Sequence, residues 1–478
     1  MERAGSFLSW LAAVVVGLAG CSPGAGPPPA PVRPAAPAPV APPWEGPASG
    51  QVREFQLTVG RVPWEIAPGT GVEAYAYNGR VPGPELRVTE GDIVRVTVTN
   101  ALDEPTTVHW HGVEVPVAID GVPQLSQEPI PPGGVFTYEF VAVPAGTRWY
   151  HAHFNERVQQ GGGLVGALII EPRQAPAPPP DREYVLVTGE WGAVGAGHSA
   201  TASAEPRGMG GRMRQRASRA SVERFTINGV AYPHTPPLIV REGERVRLRL
   251  INAGATETQA FALAGHRLTL THSDGNPLAQ PVEAEAVFLG VGERADVEFV
   301  ANRPGRWQLR GLQPGHAERG LAVDVVYEGH EADPVQLPPP GVRPVRYRDL
   351  VGPPGDGGPT RTYALTLSGG MMHPDVWTIN GRSYPDTVPL TVRAGERVRL
   401  RLFNMSMEDH PMHLHGHTFR VVAIGGRPVQ GPLKDTLTVR HMEEYEVEFV
   451  ANNPGVWLFH CHNLLHLHGG LATEVRYQ

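Results

Sequence analysis

The stretch "TINGRSYPDTVPLTVRAGERVRLRLFN", Thr378 to Asn404, carries the structural signal of the whole chain. Asn380-Gly381 is a tight-turn pair, prolines bound the short extended run that follows, and a second turn falls at Gly395. Beyond it Val398, Leu400 and Leu402 alternate with arginines, the period-two pattern of a strand with one buried and one wet face. The plan recurs in "TINGVAYPHTPPLIVREGERVRLRLIN" (Thr226 to Asn252) and "AYNGRVPGPELRVTEGDIVRVTVTN" (Ala76 to Asn100). A second shared block follows each copy: "YEFVAVPAGTRWYHAH", "VEFVANRPGRWQLRG" and "VEFVANNPGVWLFHCH". Three copies predict three similar domains. With 57 Gly and 50 Pro among 478 residues, and abundant Val and Thr, the expected class is all-β, each domain a Greek-key β-sandwich with little helix.

The copies place domains at residues 51–175, 181–330 and 360–478, with Pro-rich stretches Glu171 to Asp181 and Glu331 to Pro359 as linkers. Residues 1–20 read as a signal peptide: Arg3 precedes the short apolar run "FLSWLAAVVVGLAG", which ends in small residues. "LAGC" is similar to the lipobox of bacterial lipoproteins, so Cys21 is expected to be lipidated. Residues 21–50 are Pro/Ala-rich and form a tether rather than a core. The chain is therefore expected to be exported and held by a lipid anchor, with Ser22 pointing by resemblance to the periplasmic face of the outer membrane. Only two cysteines are present, and with Cys21 used as an anchor Cys461 has no disulfide partner. A net charge of −7 and 19% charged residues, with Lys434 the only lysine, exclude a nucleic-acid footprint.

The copies differ at the ends of their second blocks. The first ends in His151-Ala152-His153 and the third in His460-Cys461-His462, while the middle one has no histidine there. "TVHWHG" adds His109 and His111, and "DHPMHLHGHTF" adds His410, His413, His415 and His417. On a strand an HxH pair points both rings to one face, so His109/His111, His151/His153, His413/His415 and His460/His462 can converge on one locus. Eight neutral imidazoles suit several copper ions. Cys461, between two of them, faces the opposite way, into the third domain's core. His410, three residues before His413, also faces away, and His466 lies five residues past the cysteine. Together they compose a His₂Cys set, that of a blue-copper electron-transfer centre. Cys461 would thus join two metal sites through its peptide neighbours.

From about residue 51 onward the chain resembles the multicopper oxidase family, whose HxH, HxH, HxxHxH and HCHxxxH motifs are present in order. The resemblance implies three cupredoxin domains with a trinuclear copper cluster between the first and third. It implies type 1 copper at His410, Cys461 and His466, type 2 copper at His109 and His413, and a type 3 pair at His111, His151, His153, His415, His460 and His462, four ions in all. Asp120, in "VAIDGVPQ", matches an acidic residue near the family's cluster and is the expected proton relay; as an Asp-Gly pair it is also a turn signal. Bacterial relatives often carry a second acid where this chain has Leu467. The axial position, ten residues past the cysteine, is Leu471, which cannot ligate. His417, His441 and His468 are expected to support the sites or lie at the surface.

The implied reaction is one-electron oxidation of a small reducing substrate coupled to reduction of dioxygen to water. The favoured donors are phenols and aromatic amines, as in laccases. A cuprous oxidase would display soft methionines, and this chain's nine are modest: Met209, Met213, Met371, Met372, Met405, Met407 and Met412 include those nearest the motifs. A non-catalytic copper-sequestering protein is the alternative of another class.

Overall fold

The computed structural model describes residues 51–174, 179–192, 223–354, 358–370 and 373–478. The signal peptide, Cys21, the tether, Met209, Met213, Met371 and Met372 lie outside the described residues.

Three β-sandwiches follow one another, and each is built by the repeat. In the first, Val52–Ala67 runs parallel to Ile93–Asn100, which pairs antiparallel with Val135–Val141. Arg182–Trp191, Arg245–Asn252 and Arg294–Val300 repeat this arrangement in the middle sandwich, as Arg361–Gly369, Arg397–Asn404 and Glu444–Val450 do in the third. The alternation read in the sequence is the burial pattern: Val94, Val96 and Val98 point inward in one copy, and Val398, Leu400 and Leu402 in another. Each such side chain contributes about 1.5–3 kcal/mol by leaving water, which selects this strand register over one slipped by a residue.

The histidines sit on the second sheet of the outer sandwiches. There Gly146–His151 lies between Val165–Glu171 and His109–His111, and Val456–Cys461 lies between Ala472–Tyr477 and His410–Leu414. His109 faces His151 and His413 faces His460 in register.

The asparagine closing each repeat has a shared task. Asn100, Asn252 and Asn404 are fully buried, and each Nδ2 donates to two backbone carbonyls while Oδ1 accepts a backbone N–H two residues on. This fixes the loop after the strand, and in the outer copies that loop leads into His109 and His410. The stretch 331–359, read as a linker, is instead partly woven into the middle sandwich. Pro344–Val345 pairs with Ala286–Val287, and the buried Tyr347 hydroxyl donates to Glu293. Among the described residues the α-helix Leu464–His468 stands alone, and no helix is long and apolar enough to cross a membrane.

Candidate metal centre

The ten expected histidines and Cys461 are all buried and fall into two places. Eight histidines converge between the first and third sandwiches, where ring nitrogens of His111, His151 and His462 lie within 4.8 Å of one another, as do those of His153, His415 and His460. His109, His111 and His413 form a further group, in which the Nε2 atoms of His109 and His413 face each other at 3.4 Å. His410, Cys461 and His466 assemble separately, with the two Nδ1 atoms 3.0 Å apart and 3.8 and 3.6 Å from Sγ.

The four HxH pairs converge as strand alternation implies, although not every histidine lies inside a named strand. His109 and His111 both lie within a strand, but His153, His415 and His462 stand just past strand ends. Inter-strand backbone bonds continue there, from Ala152 to the Leu164 carbonyl, His415 to the Leu458 carbonyl and His462 to the Pro411 carbonyl. His466 is carried by the short helix, whose start is capped by Asn463 accepting from the Leu465 and His466 N–H groups. The middle sandwich holds that helix: Leu464 donates to the Ala255 carbonyl and packs into the middle core.

Hydrogen bonds decide which ring nitrogen each histidine presents. A carbonyl or carboxylate only accepts, so the ring nitrogen facing it carries the proton and the other keeps its lone pair. The Nδ1 atoms of His109, His151, His413 and His460 donate to backbone carbonyls of Asp120, Ala152, Asp435 and Cys461, at 2.8, 3.0, 2.9 and 3.0 Å. His415 Nδ1 donates to Asp120 Oδ2 at 2.7 Å. His466 uses Nε2 toward Glu408 at 3.1 Å and His410 uses Nε2 toward Ser406 Oγ at 2.7 Å, which leaves both Nδ1 atoms bare beside Cys461. His111 is also reversed. Its Nε2 faces Asp435 Oδ1 at 3.1 Å and Thr436 Oγ at 3.0 Å, and its buried Nδ1 has no partner.

Buried lone pairs that face one another at these distances are what a cation satisfies. His151 Nε2, His153 Nε2 and both ring nitrogens of His462 are likewise buried without hydrogen-bond partners. Burial holds His111, His151, His410, His415, His460 and His462 well below the ordinary histidine pKa, so they remain neutral donors. His153 runs the other way: burial opposes its charge, but the Glu156 carboxylate 2.7 Å from Nδ1 outweighs that. Burial pushes the Cys461 thiol up, so its ligation must displace a proton. The donor set fits copper, with imidazole at the eight-histidine site and imidazole plus thiolate at the other.

Asp120 lies where the sequence placed it, buried against His109 and His415. The turn reading holds as well. Gly121 follows at φ +86°, and a Cβ there would stand 2.0 Å from the Val108 carbonyl oxygen, so only glycine lets the loop press on the His109 strand. Leu471 is fully buried in the apolar cluster of Cys461 and Trp377, and its carbonyl accepts the Cys461 N–H at 2.9 Å.

His417 joins no metal group. It donates through Nδ1 to the His415 carbonyl and meets the Tyr477 hydroxyl at 2.6 Å; His266 and Tyr327 form the same pair in the middle sandwich, which gives no histidine to the cluster. His441 bonds the Ser406 carbonyl and His468 is exposed. Met412 is buried, whereas Met405, Met407 and Met442 are exposed.

Sequence reading missed Asp435, Arg294, Glu156 and Glu408. Asp435 had one signal: it follows the chain's lone lysine.

Models of multicopper oxidase domains match residues 58–175, 183–329 and 357–478. "Multicopper oxidase MmcO" of Mycobacterium tuberculosis is 34% identical over 439 residues, covering 86% of this chain and 84% of that protein. "Copper resistance protein A homolog" of Pseudomonas syringae pv. tomato is 26% identical, over 91% of this chain and 95% of its own length. Among solved structures, the laccase from Botrytis aclada superposes with a TM-score of 0.74 at 26% identity, over 90% of this chain and 89% of that one. The fold and the histidine groups define a copper-dependent oxidase. The chain belongs to the multicopper oxidase family, and it is an oxidoreductase that uses dioxygen, with copper as its cofactor.

Proposed function

We propose that this enzyme oxidises small phenols and aromatic amines, in the manner of a laccase, one electron at a time at the His410, Cys461 and His466 site. Dioxygen is reduced to water at the eight-histidine site. In this reading His109 and His413 hold a type 2 copper, His111, His151 and His462 one member of a type 3 pair, and His153, His415 and His460 the other. Bound at these four places, copper supplies one-electron oxidation at the first site and four-electron reduction of dioxygen at the second. The domains are those of residues 51–175, 181–330 and 360–478. The signal peptide is removed, and a lipidated Cys21 with the tether behind it holds the chain at the periplasmic face of the outer membrane.

One observation carries the proposal: Cys461 belongs to one metal group while His460 and His462 belong to the two halves of the other. An electron arriving at Cys461 Sγ has a covalent route through the adjoining peptide bonds to both rings. Glu408 extends the entry side outward. It bonds His466 Nε2 and remains about a third exposed, placed to accept a phenol O–H or an aminium N–H from a docked donor.

Protons reach the cluster through Asp120 in this reading. Its Oδ2 accepts from His415 Nδ1, and its Oδ1 lies 3.2 Å from His109 Nδ1 with no hydrogen-bond partner of its own, free to carry a proton. Leu471 leaves the type 1 site without an axial ligand.

A second reading, cuprous oxidation, is favoured by exposed Met405 and Met407 on the loop entering His410, thioethers soft enough for Cu(I). Oxygen uptake by copper-loaded enzyme with a phenolic donor, measured beside Cu(I), separates the readings. Faster uptake with the phenol supports laccase-like chemistry, faster uptake with Cu(I) replaces it by the second reading, and none with either points to copper sequestration.

A further inference from the structure

The middle sandwich gives no histidine to the cluster groups, yet one of its side chains reaches directly behind them. Arg294 is fully buried, and all five of its N–H groups are used. Nε donates to the Thr147 carbonyl of the first sandwich at 3.1 Å, and Nη1 and Nη2 donate to the Gly292 and Asp274 carbonyls of the middle one at 3.1 and 3.0 Å. The remaining two form a fork on Asp435 of the third, with Nη1 to Oδ1 at 2.7 Å and Nη2 to Oδ2 at 2.5 Å. A planar guanidinium makes such a fork; a lysine ammonium cannot.

Asp435 in turn touches ligand candidates from both outer sandwiches. Its Oδ1 faces His111 Nε2, and its carbonyl accepts from His413 Nδ1. The chain leaves room for the clamp. Gly112, next to His111, sits at φ +79°, and a Cβ there would lie 2.4 Å from Arg294 Nη2 and 2.6 Å from Asp435 Oδ2.

We propose that Arg294 is a positioning residue for the copper cluster. By fixing the Asp435 carboxylate it holds His111 with its proton on Nε2 and Nδ1 bare, and it holds His413 opposite His109. The ligand-free middle sandwich thereby sets whether the outer two complete the site. A general adhesive role would be shared by Arg249, which also joins the first two sandwiches through Thr147, Glu171 and Asp296 but touches no histidine.

This inference rests on the copper assignment proposed above. The experiment compares wild type, Arg294→Gln, Asp435→Asn and Arg249→Gln after copper loading, by copper per chain, the blue absorption band and the EPR-visible fraction of copper. Arg294→Gln and Asp435→Asn are expected to keep the blue band, lose half or more of the remaining copper, and show a larger EPR-visible fraction as the coupled pair is broken. Arg249→Gln is expected to match wild type in all three. Should Arg294→Gln fail to fold, Asp435→Asn carries the same expectation, since it preserves side-chain size. Wild-type copper content and spectrum in both clamp variants would overturn the proposal, as would equal copper loss in Arg249→Gln. A wild type that binds no copper would instead sink the assignment of copper to these groups.

Discussion

Replacing Leu471 by methionine tests the register of the third sandwich through the chemistry of the thiolate site. Leu471 is fully buried with Cys461, Trp377 and Met412. Its carbonyl is tied to the Cys461 N–H, so the residue cannot swing away. Leucine to methionine nearly conserves volume, so the fold should lose less than about 1.5 kcal/mol. A thioether at this place adds a weak axial donor, favours the oxidised ion and lowers the reduction potential. For one electron, about 59 mV corresponds to a tenfold change in the redox equilibrium, and a shift of that order is expected. Redox titration of the blue band reads it, while turnover of hard-to-oxidise phenols should fall more than that of easy ones. Leu471→Ala is the companion variant: it opens a cavity costing about 2–5 kcal/mol without supplying a donor, so it lowers the thermal midpoint but does not mimic the thioether. An unchanged potential in Leu471→Met would refute the placement of this side chain over the metal.

Three further outcomes are expected. Cys461→Ser should abolish the blue band and donor-driven oxygen uptake together while most cluster copper stays bound; a blue, active variant would break the type 1 assignment. Burial holds the Glu190 carboxyl up at about 7 against an ordinary 4.5, so between these values the folded chain binds more protons than the unfolded one. Its stabilisation is therefore complete below the lower value and lost as pH rises through the upper, by about 3 kcal/mol. Glu190→Gln should flatten the fall of the thermal midpoint between pH 5 and pH 8, and parallel curves for the two proteins would contradict this. Cys21→Ala should move the protein from the membrane to the soluble fraction at unchanged specific activity, and a wild type already soluble in cells would remove the anchor.

Much of the site was legible because its signals are local. The alternation in Arg397–Asn404 fixes a strand, and the repeat fixes its neighbours. The offsets of His410, His413 and Cys461 then sort the side chains into two faces. What remained hidden depends on contacts between distant segments. Arg294 and Asp435 are 141 residues apart, and no periodicity links them. The stretch around Tyr347 reads as linker because prolines report backbone stiffness, not docking, and its hydroxyl contact with Glu293 follows only from the packed sandwiches.

In the proposed reaction two joined sites collect single electrons and deliver four of them to each dioxygen. Counting oxidised phenolic donor against dioxygen consumed, with a peroxide assay on the same sample, tests it most directly. Four one-electron equivalents per dioxygen and no released hydrogen peroxide are expected. Two equivalents per dioxygen with stoichiometric peroxide would contradict it.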